Sequence, residues 1–229
     1  MVRIIRTLLI TTLLLAAAPP LASAATASPA NKELAFTMAK TAREALKAGK
    51  YVLAAQMFRE ALKLQPGEMD YLYGVARAEQ LAGHESKALQ GYRRFLKEAP
   101  QHRAADKVTE YLAELLAGQG KAHLAAARYE QAARAFTEAR SLQPGAPDHL
   151  LGLARVARGS GDLDAAQQRY LELMTTAPGT PAAAAATTEL AEVVTKKAAR
   201  AAEQSEQAGE QARRDAEAQR ADEAQRAAE

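Results

Sequence analysis

The chain has 229 residues, no cysteine and no tryptophan, and a formal charge of +3 from 30 basic and 27 acidic side chains. That length accommodates one substantial domain plus accessory segments. The absence of cysteine excludes disulfide frameworks, thiolate zinc sites and cysteine nucleophiles, and suits life in an oxidising compartment. Much of the 48% hydrophobic fraction is alanine and only 5% of residues are aromatic, a balance that favours helix because alanine loses no side-chain entropy on helix formation. Alternating runs of Val, Ile and Thr, the usual strand pattern, are missing, so the expected class is all-α.

Residues 1–24 read as a secretory signal peptide. Arg3 and Arg6 supply a positive start, Leu8 to Ala18 an apolar stretch, Pro19-Pro20 a break, and Ala22-Ser23-Ala24 a small-residue cleavage site before Ala25. A spanning helix needs about 20 apolar residues, and the two prolines stop this stretch short of that. The expected mature chain is exported, to the periplasm or beyond, and with no cysteine after the cleavage site it carries no lipoprotein anchor. Residues 25–30 form a short linker. Without the signal, residues 25–181 carry 21 basic and 17 acidic side chains, and residues 182–229 carry 7 and 10. Neither part holds the concentrated basic stripe of a nucleic-acid binder.

Residues 51–100 align without gaps on residues 129–178, with 21 of 50 positions identical at an offset of 78. The identities fall on small and apolar positions, on Leu64–Gly67 and Leu142–Gly145, and on Arg77 with Arg155. This is an internal duplication. Within each copy runs a shorter period: Pro66 and Pro100 are 34 residues apart, as are Pro144 and Pro178. Eight residues before each proline stands an aromatic (Phe58, Tyr92, Phe136, Tyr170), and twelve before it an alanine (Ala54, Ala88, Ala132, Ala166). Gly49, Gly83 and Gly161 mark turns between helices in three of the four units.

These residues resemble the tetratricopeptide-repeat (TPR) family, a helix–turn–helix unit with alanine and an aromatic in its second helix and proline at its end. The resemblance covers roughly residues 30–180 and implies a right-handed α-solenoid of about four units. The units are expected at about 35–68, 69–102, 113–146 and 147–180 within a solenoid spanning 31–180. The alanine sits where helices cross and the aromatic one turn later fills the space between units, while each proline stops the second helix. Two departures stand out. The large residues usual in the first helix are mostly smaller here, as at Ala42 and Ala45. Pro100 and Pro144 are 44 residues apart, so the third unit's first helix is expected to be lengthened, or broken at Gly118-Gln119-Gly120.

After Pro181 the pattern changes. Leu190, Val193 and Val194 fit a capping helix over 181–195. Residues 196–229, rich in Ala, Glu, Gln and Arg, have high helix propensity but no wide apolar stripe, which predicts a long solvated helix supported by charge pairs or a fraying tail. Gly209 and the lack of a Leu or Ile seam argue against a coiled coil.

No catalytic, metal-binding or cofactor-binding arrangement emerges. His84, His102, His123 and His149 are scattered. Gly118-x-Gly120-Lys121 lacks the spacing and the hydroxyl residue of a phosphate loop, and Gly159-Ser160-Gly161 is a turn rather than a nucleophile elbow. The resemblance implies a protein-binding groove lined by the first helices of the units. Carrying the groove position across places Arg43, Arg77, Lys121 and Arg155 as a basic ladder, with Phe36, Tyr73 and Leu151 adding apolar contact. Such a ladder suits an acidic segment or a free carboxylate of another protein, unless the arginines simply pair with Asp70 and Asp148 on a solvated face. The expected function is that of a non-enzymatic adaptor of the cell envelope, and the alternative is a self-assembling structural protein using the C-terminal helix.

Overall fold

A computed structural model describes residues 28–228, and within them the chain forms nine α-helices and no strand. The expected signal peptide, its cleavage site and residues 25–27 of the linker lie outside the described residues, and the rest of that linker is not a loop: Ser28 caps α1, which takes in Pro29 and Ala30. The helices are α1 (Pro29–Lys47), α2 (Tyr51–Leu64), α3 (Met69–Leu81), α4 (Glu85–Glu98), α5 (Ala105–Ala125), α6 (Tyr129–Leu142), α7 (Pro147–Ser160), α8 (Leu163–Thr176) and α9 (Pro181–Ala228). Each packs on its successor, and α3, α7 and α9 also touch the first helix of the preceding pair. Those neighbours are α1, α5 and α7 respectively. The result is a TPR-type solenoid ended by a long helix.

The sequence pattern accounts for this packing. Ala54, Ala88, Ala132 and Ala166 are all fully buried at helix crossings. The aromatics that follow them, Phe58, Tyr92, Phe136 and Tyr170, are 2% exposed or less, each contributing roughly 1.5–3 kcal/mol by burial. The first helix of the chain starts at Ser28, whose hydroxyl accepts the Asn31 amide at 3.2 Å, with Pro29 in the first turn where its missing N–H costs nothing. Three of the four turns between paired helices use a glycine at positive φ: Gly49, Gly83 and Gly161. In the third pair Ala127 takes that conformation, at φ 54.

The extra ten residues between Pro100 and Pro144 lengthen α5 rather than breaking it. It runs 21 residues against 13 for α3, passing unbroken through Gly118 and Gly120, and the segment before it is slightly longer too. Gly120 is tolerated mid-helix because a methyl group there would lie 2.9 Å from the Phe136 ring. Beyond Pro181 the cap and the charged tail are one continuous helix of 48 residues. Ala182, Ala183, Ala186 and Val193 are buried on its side facing α7 and α8, and from Ala198 onward the described side chains are solvent-exposed.

Candidate functional site

The face built from α1 and α3 carries a cavity into which three basic side chains converge. Arg43 and Leu46 from α1, Phe58 from α2, Asp70, Tyr73, Gly74 and Arg77 from α3, and Arg103 from the α4–α5 segment line a cavity of about 280 Å³. Phe58 is buried and forms its floor beside Gly74, where a Cβ would lie 2.7 Å from the ring, so glycine is what leaves room there. Three guanidinium groups and one carboxylate thus line the same cavity. That carboxylate, Asp70, bonds Arg103 at 2.6 Å and lies 3.7 Å from His102. Among the described residues neither Arg43 nor Arg77 makes an ion pair.

Arg77 is held by neutral partners. Its Nη1 donates to Gln80 Oε1 at 2.7 Å, and its guanidinium sits 4.2 Å over the Tyr111 ring of α5. Lys107 lies 4.8 Å from the same ring, which extends the basic, aromatic surface onto α5. Tyr73 packs edge-on against Phe95 at 6.3 Å. Burial raises the pKa of its phenol, with Tyr111 adding to the effect, so Tyr73 is a neutral O–H at physiological pH.

The second copy resolves the same geometry differently. Arg155, the counterpart of Arg77, donates Nε and Nη2 to Glu189 Oε1 of α9 at 2.9 and 2.6 Å. Tyr170 adds its hydroxyl to the other carboxylate oxygen at 2.8 Å, and Arg158 lies 3.4 Å away. Burial opposes ionisation of Glu189, but the bonds from Arg155 and Tyr170 outweigh it and hold its pKa below the ordinary value. The hydrogen bond with Glu189 correspondingly raises the pKa of Arg155. Offset by 78 residues, Glu189 stands where the first copy has Tyr111.

The predicted ladder is therefore uneven. Arg43 and Arg77 share a cavity with Tyr73. Lys121 is exposed on α5 and Phe36 is 60% exposed on α1, two turns before Arg43. Arg155 is engaged within the chain, and Leu151 is 6% exposed in the core with Leu150, Ala154 and Tyr170, which leaves it little surface to offer. The alternative, in which the ladder arginines pair with Asp70, is not what Asp70 does: it pairs with Arg103. Sequence reasoning missed Arg103, Lys107 and Tyr111, because they lie in the stretch where the 34-residue period is interrupted. Glu79 was missed as well. It is 2% exposed, accepts from Arg59 and contacts His84 Nδ1 at 2.6 Å, tying α2, α3 and α4 together. Among the described residues no three potential metal ligands converge, and no described helix is long and apolar enough to cross a membrane.

Two family profiles described as tetratricopeptide repeat match residues 40–103 and 123–190. The chain belongs to the tetratricopeptide-repeat family, whose fold serves as a scaffold for binding other proteins or peptides. No curated protein matches it significantly. Among solved structures it is similar to YrrB, titled a TPR protein with an unusual peptide-binding site, at 16% identity over 76% of this chain and 82% of that one, with a TM-score of 0.46. It is also similar to MamA from Desulfovibrio magneticus RS-1 at 13% identity, covering 73% and 97% of the two chains with a TM-score of 0.44. A third is Pseudomonas aeruginosa pilF, at 19% identity over 73% and 71% with a TM-score of 0.39.

Proposed function

We propose that this chain is a non-enzymatic adaptor of the cell envelope that captures an acidic segment, or a free carboxylate, of another protein on the α1–α3 face. The observation that carries the reading is the cavity that gathers Arg43, Arg77 and Arg103 around a single carboxylate, Asp70, which is committed to Arg103. Like charges held together in a partly enclosed site repel, and an incoming carboxylate relieves that repulsion through charge-assisted, bidentate hydrogen bonds. The second copy supports the chemistry, because Arg155 meets a carboxylate from α9 in this bidentate way, Nε donating to Glu189 Oε2 at 3.1 Å and Nη2 to Oε1 at 2.6 Å. Leu46, Phe58 and Tyr73 supply apolar surface for the side chains flanking the acid. The envelope location rests on the residues before Ala25, which have the composition of an export signal.

The test is affinity capture from an envelope extract with the mature chain beside an Arg43→Glu/Arg77→Glu variant, both checked by circular dichroism. A partner held by the first and lost by the second is expected. A partner held equally by both would move the binding surface elsewhere on the molecule.

A further inference from the structure

Gln80 stands one turn after Arg77 on α3, where the two side chains can meet, and its Oε1 accepts from Arg77 Nη1 at 2.7 Å. The same oxygen accepts from the Tyr92 hydroxyl at 2.6 Å. Arginine only donates, so the atom that the amide turns to Arg77 is its oxygen. Tyr92 is fully buried, and burial raises the pKa of its phenol, so it too is a donor at physiological pH. One neutral oxygen therefore answers an arginine of α3 and a tyrosine of α4.

At the offset of 78 the equivalent pair, Arg155 and Tyr170, is answered by the Glu189 carboxylate. Two positions change together between the copies: Gln80 corresponds to Arg158, and Tyr111 to Glu189. The acceptor thus moves from a neutral side chain on the arginine's own helix to a charged one two helices further on. A carboxylate cancels the charge of Arg155, whereas a carboxamide leaves that of Arg77 intact. The edges used differ as well. Arg155 turns its Nε and Nη2 onto Glu189, but Arg77 is held by Nη1, and among the described residues its Nε and Nη2 make no hydrogen bond. The edge suited to a bidentate grip on a carboxylate is left unused on a residue that lines the cavity with Arg43 and Arg103. The Tyr111 ring, 4.2 Å from the guanidinium, adds a second hold that also leaves the charge in place.

We propose that Gln80 is a positioning residue for acid recognition at the α1–α3 site, a role that rests on the acid-binding reading of that cavity. It fixes Arg77 through a neutral acceptor, so the guanidinium meets an acidic segment with its charge uncancelled and its bidentate edge open. Ordering the arginine before the ligand arrives reduces the entropy lost on binding. A carboxylate at position 80 would keep the anchoring and remove the charge, as Glu189 does for Arg155.

A fluorescent polyglutamate peptide, titrated by fluorescence anisotropy at low salt, tests this with the mature chain, Gln80→Glu, Arg77→Gln and the double variant, each checked by circular dichroism. Gln80→Glu should bind about tenfold more weakly than the parent, the lower end of what one hydrogen bond to a charged group contributes. In the Arg77→Gln background the same substitution should weaken binding by about twofold or less, the size of a solvent-screened repulsion. Equal losses in both backgrounds would assign the effect to general repulsion and overturn the role of Gln80, with the acid-binding site left standing. A parent chain that does not bind the peptide at all would overturn the acid-binding reading itself, and the role of Gln80 with it. Thermal melting without ligand supplies the second check at neutral pH. Gln80→Glu should lower the melting temperature more in the Arg77→Gln background than in the parent, because only the parent gives the new carboxylate a cation. Equal shifts would show that a carboxylate at position 80 does not engage Arg77, and would overturn the proposal.

Discussion

Ala127 holds a left-handed backbone conformation, φ 54, in the one turn between paired helices where the other three units have glycine. An L-residue with a Cβ is strained there by roughly 1–2 kcal/mol. Ala127→Gly removes the strain but loosens the unfolded chain, which offsets part of the gain. A net stabilisation of about 0.5–1 kcal/mol is expected in urea unfolding. Two glycines within helices give the opposite contrast. A Cβ on Gly152 would lie 2.5 Å from Phe136 Cε1, whereas one on Gly118 would meet nothing within 4 Å. Gly152→Ala should therefore cost about 1–3 kcal/mol by overpacking, and Gly118→Ala should add up to about 1 kcal/mol through helix propensity. Equal effects on the melting temperature would show that the Phe136 contact does not set the packing. Spacing alone located the buried aromatics. That Gly152 serves Phe136 was not legible, since the partner lies in another helix and only the fold joins them.

The helices themselves were largely written in the sequence, because alanine, aromatic and proline recur with a fixed phase. The continuity of α5 through Gly118 and Gly120 was not, since glycine breaks a helix or serves close packing according to what faces it. The attachment of α9 was half legible. Leu190, Val193 and Val194 announced a cap, but Glu189 carried no pattern, and it is the residue that joins α9 to Arg155 and Tyr170. Glu189→Gln keeps the shape and removes the charge. A loss of about 1.5–3 kcal/mol is expected at neutral pH, the range for hydrogen bonds to charged groups. The pKa of Glu189 is depressed below its ordinary 4.5, so its stabilisation is complete above that value and is lost as pH falls through the folded pKa. The gap in stability between the parent chain and Glu189→Gln should accordingly close on acidification below pH 4.5. A gap that stays constant to low pH would assign the effect to packing instead of charge.

Across the whole molecule the two copies differ less in fold than in where charge is left unanswered. The basic ladder was visible as four residues at one repeat position, but their fates were not. Whether an arginine is free depends on the residue that the helix two places further along brings against it. Arg155 meets Glu189, Arg77 meets the Tyr111 ring, and Arg43 faces a cavity that already contains Arg77. Within that cavity Asp70 is the resident competitor, since it alone supplies a carboxylate and commits it to Arg103. Asp70→Asn would release Arg103, whose side chain is 79% exposed, at the modest cost of an exposed ion pair and a favourable charge in the first turn of α3. If the site takes an acidic segment, this variant should bind a fluorescent polyglutamate peptide more tightly than the parent chain, by several-fold at low salt. The advantage should shrink as ionic strength rises past about 0.15 M, where the Debye length falls to about 8 Å. Titration by fluorescence anisotropy at two salt concentrations decides it. Weaker binding by Asp70→Asn would mean that Asp70 itself contacts the ligand, and the site would then select a segment carrying a basic or hydrogen-bond-donating side chain beside its carboxylate.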